Sequence, residues 1–202
     1  MQQSATMTPQ FSVYLNLVRV LCALVIFLSH LGHGHLVGGY LWPFPHLGSE
    51  ARGGIFVLSG FLIAYVTDRK EPTAGDYAAA RLARLYSVIL PAMLLTLTLD
   101  AAGLSIHPGS YEQSHAMSEG DPVLAYLLSL FMLNQSWDMD MYFGSNGTYW
   151  VMPYEFWYYF MFGSFMLLRG LQRIVFCLGG ALVAGPGILV IMPIWLMGVA
   201  SY

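Results

Sequence analysis

Phe11 to Leu31 reads FSVYLNLVRVLCALVIFLSHL, and Arg19 and His30 are the two basic residues that interrupt its apolar character. About 20 predominantly apolar residues cross the hydrocarbon core of a bilayer, so the stretch is read as a transmembrane helix. A cleaved signal peptide would open on a basic region and carry a shorter apolar core. Residues 1–10 contain no Lys or Arg and Arg19 falls inside the run, so this helix is expected to be retained.

The rest of the 202-residue chain has the same character, with 57% of its residues hydrophobic and 9% charged. A soluble domain carries roughly 25% charged residues, too many for a water-facing surface to be built from what is present here. Aromatic residues reach 15%, which suits rings placed at membrane–water interfaces. Eight Lys and Arg in a chain of formal net charge −3 make no basic stripe, and nucleic acid is excluded as a partner. Cys22 and Cys177 both sit in apolar runs and offer neither a disulfide framework nor metal-ligand spacing. They read as small buried hydrophobes.

Further apolar runs cover Gly53–Thr67, Leu85–Leu104, Val151–Leu168 and Ile174–Tyr202. Gly185-Pro186-Gly187 stands in the middle of the last and is expected to break it into two helices joined by a tight turn. The fold class expected is therefore all-α, a polytopic transmembrane helix bundle of about six spans. Val123–Asn134 is too short to span. Arg69, Lys70, Arg81 and Arg84 flank the loop between the second and third runs, and basic residues near span ends prefer the cytoplasm. The N-terminus is then cytoplasmic, with residues 32–51 and 105–122 outside. A segment 123–134 that enters and returns on the outer side keeps Arg169 and Arg173 inside, and is preferred over one that spans. Irregular backbone at that depth has to be covered by protein or line a water-filled cavity.

Ionisable groups within spans are expensive and are read first as functional. Arg19, His30 and Glu155 are the three singled out. Eleven helical steps bring His30 back to within about 20° of Arg19, about 16 Å further along the axis. Both then project from one stripe, unless Arg19 snorkels to the interface and His30 ends the helix in water. Glu155 stands near the start of its run and, in the re-entrant topology, at a depth near that of His30. A carboxylate beside a histidine holds the ring in one tautomer and raises its basicity; a structural ion pair with Arg19 is the alternative.

Gly54, Ser59 and Gly60 open the second run and suit close helix packing. His30, His33 and His35, with His46 further on, have no Cys or acidic residue among them; the trailing histidines are read as a loop and no metal site is expected. Asn146-Gly147-Thr148 is a glycosylation acceptor only in a eukaryotic secretory context.

Together these segments resemble the acyltransferase-3 family of membrane acyltransferases. The arginine–ten residues–histidine pattern of Arg19 and His30, Phe56-Val57-Leu58-Ser59-Gly60-Phe61, Arg81-Leu82-Ala83-Arg84-Leu85-Tyr86 with Pro91 beyond, and Trp150-Val151-Met152-Pro153-Tyr154-Glu155 carry the match in order. The family's Ser-Leu after the tryptophan is Val151-Met152 here. The resemblance implies transfer of an acyl group, commonly acetyl from acetyl-CoA, to a hydroxyl of a sugar or other cell-envelope acceptor, free or lipid-linked. It implies an acyl-CoA donor substrate with no bound cofactor, and His30 as essential base or relay with Arg19 and Glu155 as its catalytic companions. Ser59, Arg81, Arg84 and Trp150 would contact substrates, the two arginines facing the cytoplasm where coenzyme A phosphates reach them. Membrane lipid phosphate is the other partner for these cations. The expected location is the inner or plasma membrane.

Members of that family are longer, and this chain stops inside an apolar run. A single domain over residues 1–202, incomplete at its C-terminus, is expected, with missing helices or a partner subunit completing the bundle. Buried Arg, His and Glu also mark transport pathways, so a carrier, or a non-catalytic remnant, stands as the alternative.

Overall fold

A computed structural model describes residues 7–32, 44–70, 73–109, 111, 120–137 and 139–202. Among these, seven α-helices and one 3-10 turn follow one another: α1 (Pro9–Gly32), α2 (Phe44–Lys70), α3 (Ala74–Ile106), α4 (Pro122–Leu130), the turn Gly147–Trp150, α5 (Val151–Leu167), α6 (Gly170–Ala184) and α7 (Pro186–Ala200). The chain divides into two compact units, Met1–Val66 with Pro193–Tyr202, and Thr67–Met192.

In the first unit, α1 starts where Thr8 and Pro9 prescribe. The Thr8 hydroxyl accepts from the Phe11 amide at 3.3 Å, and Pro9 fills the first helical position, where a missing N–H is harmless. The helix then runs unbroken past Arg19 and His30. Glycines set how closely α2 can be approached. A Cβ on Gly54 would touch Cys22 Sγ of α1 at 3.3 Å, and one on Gly48 would collide with Ser29. With Phe11 edge-on to Phe61, these contacts make α1 and α2 antiparallel neighbours. On another side of α2, a Cβ on Gly60 would collide with the Trp195 carbonyl, and one on Gly198 with that of Val57. Backbone there meets backbone, the close approach that small residues allow in membrane helices.

In the second unit, α3 is capped by Thr73, whose side chain accepts from the Asp76 amide at 3.1 Å. Its buried residues are Tyr77, Arg81, Leu85, Ile89, Met93, Thr96 and Asp100. Their steps of three and four residues define one helix face. That face packs on α5, where the Tyr77 ring lies so close to Gly163 that a Cβ there would collide with it. Helix α5 is the core of this unit. Ten of its residues are buried, on every side of the helix, with α3 and α6 as its main neighbours.

Gly185 separates α6 from α7 with φ of +79°, a left-handed conformation that glycine adopts without penalty. A side chain there would also run into Trp137. The Trp137 amide and indole Nε1 donate to the carbonyls of Ala184 at 3.2 Å and Leu182 at 2.9 Å, which closes the exposed end of α6. The two helices bend by 119° at this break, as the Gly-Pro-Gly triplet led one to expect.

Two helix starts differ from the sequence expectation. Helix α2 begins at Phe44 rather than Gly53, and α3 at Ala74 rather than Leu85. Apolar runs mark the part of a helix that lies in hydrocarbon, whereas capping and backbone bonding carry a helix well beyond it. His46 is consequently helical and not part of a loop, while His33 and His35 lie outside the described residues. Among the described residues, three helices, α1, α2 and α3, are long and apolar enough to cross a membrane, or four spans if α6 and α7 count as one broken span. The difference from about six lies in those two arms and in α5, whose 17 residues give a length of about 26 Å. Helix α4 has nine residues and ends in turns from Phe131 onward, as befits a segment too short to span.

Candidate active site

Arg19 and His30 share α1, whose continuity preserves the one-stripe relation that their spacing implies. Arg19 is half-buried and His30 exposed in the last turn, where a cation suits the negative end of the helix dipole. Ser29 beside it is 1% exposed and donates to the Ile26 carbonyl at 2.8 Å. Ser59 lies buried on α2, one residue before the Gly60 crossing.

Glu155 belongs to the other unit, one turn into α5, and is buried. Its carboxylate accepts from the Tyr159 hydroxyl at 2.9 Å. The Tyr77 hydroxyl in turn donates to the Tyr159 carbonyl at 2.8 Å, and the Arg81 guanidinium stands 5.5 Å from the Tyr77 ring centre. Arg81 and Glu155 are thus joined through two tyrosines. Trp150 precedes α5 and packs edge-on against Tyr154, with centroids 5.1 Å apart.

Other bonds hold α5 in place. Trp157 Nε1 donates to the Met132 carbonyl at 2.9 Å, and the Tyr158 hydroxyl to that of Ile188 at 2.8 Å. Tyr149 donates to the Ser129 carbonyl at 2.6 Å; burial pushes its phenol well above the usual tyrosine range, so it stays a donor at any physiological pH. Each bond gives a phenol or indole the partner that its burial demands.

Arg81 departs from expectation. It is buried on the inner face of α3, whereas Arg84 is exposed; three residues along a helix turn a side chain by about 300°, enough to separate their surroundings. Asp100 is the residue that sequence reasoning missed. It is 5% exposed and accepts from the Ser145 amide at 2.8 Å, the Ser145 hydroxyl at 2.6 Å and the Tyr111 hydroxyl at 3.3 Å. Asn146 adds a bond to Thr96, one turn earlier on α3, at 3.3 Å. The stretch leading into Trp150 and Glu155 is therefore tied to α3. Asp100 stands inside the Leu85–Leu104 run, where the rule that singles out Glu155 applies equally. Among the described residues, no three His, Cys, Asp or Glu group to hold a metal.

Among curated proteins, an O-acetyl transferase of Shigella phage Sf6 is 32% identical over 156 residues, covering 72% of this chain and 43% of that protein. The chain thus spans less than half the length of this relative. No solved structure matches it. The family model described as "Acyltransferase domain" matches residues 12–202 and takes in every candidate site residue named above. The chain is a membrane protein that belongs to the acyltransferase-3 family.

Proposed function

We propose that this chain forms the acceptor-activating part of a membrane O-acyltransferase that moves an acyl group from acyl-CoA to a hydroxyl of a sugar or other cell-envelope acceptor. The relative's description as an O-acetyl transferase supports acetyl as the group moved. The observation that carries the reading is the Arg19–His30 pair on one unbroken helix within the family match.

In this reading His30 takes the proton of the acceptor hydroxyl as its oxygen attacks the thioester carbonyl. The new C–O bond forms, the C–S bond breaks, and the thiolate of coenzyme A leaves with the proton returned by His30. Arg19 supports His30 from the same stripe of α1. Ser59 and Trp150 contact substrate. Arg84 meets donor phosphates from the aqueous side. The N-terminus is cytoplasmic in the inner or plasma membrane, since Arg69 and Lys70 end α2, Arg84 lies in the first part of α3, and Arg169 and Arg173 lie at the start of α6, stretches that then face inward. A partner subunit, or further helices of a longer polypeptide, encloses the exposed His30.

Membranes bearing the protein should pass label from acetyl-CoA to envelope hydroxyls. His30→Ala should reduce that transfer by roughly 10² to 10⁴, the worth of a general base, with insertion unchanged. Transfer retained in the variant rules out the role. Uptake of a solute into vesicles without any acyl donor would point instead to a carrier, for which the break at Gly185 is the supporting feature.

A further inference from the structure

A cavity of about 410 Å³ opens between α3, α5 and α6, within the second unit. Its wall is almost wholly hydrocarbon: Leu82, Leu85, Phe156, Phe160 and Phe176 are among the residues that line it. The tyrosine and serine hydroxyls on the wall are turned to protein, Tyr77 to the Tyr159 carbonyl, Tyr159 to Glu155 and Ser164 to the Phe160 carbonyl. Among the described residues that line it, Arg81 is the one charged side chain. The rim reaches outward at Leu82, which is 41% exposed.

The cavity sits where the first turns of α3, from Ala74, meet the end of α5 at Leu167 and Leu168. That end of the unit is basic. Residues 68–84 and 169–173 hold six Lys and Arg against three acidic residues. Of those acids, Asp68 faces Arg69 at 3.7 Å, and Asp76 accepts from the Thr73 hydroxyl at 2.6 Å. Arg173 Nε donates to the carbonyl of Leu168 on the cavity wall at 2.9 Å, which fixes a second guanidinium at the rim. An apolar slot with one guanidinium in its wall and another bonded to its edge matches an amphiphile with a hydrocarbon chain and an anionic head. Basic pockets between membrane helices on the cytoplasmic side hold anionic headgroups in this way, and the volume is in the range of small-molecule sites.

We infer that this cavity is a binding site for an anionic phospholipid of the surrounding leaflet, one acyl chain lying along α3 and α5 and the phosphate at the guanidinium of Arg81. The occupant is a bilayer lipid because the wall includes α3, which is long and apolar enough to cross a membrane, and is exposed at Leu82. A neutral zwitterionic lipid would bring the same chain but a headgroup without net charge.

Native mass spectrometry of the detergent-purified protein, titrated with phosphatidylglycerol and with phosphatidylcholine of the same chains, tests the site. The expected result is retention of phosphatidylglycerol by roughly fivefold or more over phosphatidylcholine, what one basic residue near an anionic surface supplies. Arg81→Gln should bring the ratio to about one, Arg81→Lys should keep most of it, and Arg84→Gln should leave it in place. Ala78→Trp, which fills the slot from its wall, should lower retention of both lipids. Equal retention of the two lipids by the wild type, a ratio unmoved by Arg81→Gln, or retention of both lipids unmoved by Ala78→Trp overturns the assignment. So does a protein whose slot, probed by crosslinking from Leu82, is covered by polypeptide.

Discussion

Helices α1 and α5 each carry a candidate catalytic residue, and they are opposites in their surroundings. On α1 only Leu15 and Ser29 are buried among the described residues, and Phe11, Leu17, Leu21, Leu24 and Phe27 are all exposed. On α5 ten residues are buried, and its Trp157, Tyr158 and Tyr159 donate hydrogen bonds to protein acceptors. Both helices are apolar, so composition does not separate them. Hydrogen-bonding aromatic groups do, because a buried phenol or indole requires a partner and so dictates what must lie beside it. Leucine makes no such demand and suits a helix that faces lipid. The contrast assigns different work to the two helices: α5 fixes the position of Glu155 within its unit, while α1 presents His30 on a surface.

The comparison breaks first, and most visibly, at Trp157. Replacing it with Ala should cost about 3–5 kcal/mol of stability, from the emptied volume and the lost bond to the Met132 carbonyl. Denaturation of the purified protein in mixed micelles measures this, and a cost under about 1 kcal/mol would mean that α5 is not a core. Next comes Asp100→Ala, which strands the Ser145 and Tyr111 donors and should cost about 2 kcal/mol. Protease cleavage in the 140–150 loop should rise in step, and an unchanged digestion pattern would deny that Asp100 ties the loop to α3. Smallest is Leu24→Ala on α1, expected within about 0.5 kcal/mol in the same assay. A large loss there would show that the exposed face of α1 is packed against something in the purified state.

Much of this architecture could be read from the residues. The first run became an unbroken helix, and Gly185-Pro186-Gly187 became the bend, because chain stiffness and hydropathy act locally. Helix starts were less legible. Thr73 caps α3 twelve residues before the apolar run begins, and hydropathy is silent about a helix that stands in water. Arg81 and Asp100 were misplaced or missed for a subtler reason. Each belongs to a four-residue periodicity with Tyr77, Leu85, Ile89 and Thr96, and that periodicity predicts burial. Reading Arg81 by its charge alone put it at a surface. Ser145, the loop partner of Asp100, is 45 residues away in sequence, so only folding could reveal it.

Arg81 and Asp100 are the two charged residues of the buried stripe of α3, nineteen residues apart in sequence. At the usual helical rise that is about 28 Å, close to the thickness of a bilayer's hydrocarbon layer of about 30 Å. The two charges therefore act as a built-in depth gauge. In a much thicker bilayer α3 would have to stand more upright or thin the lipid around it, at a fraction of a kcal/mol for each ångström. In a thinner one it would tilt. The loop tied to Asp100, and with it the start of α5, would follow that tilt, so the choice of lipid sets the pose of the Glu155 helix as well as its solvent.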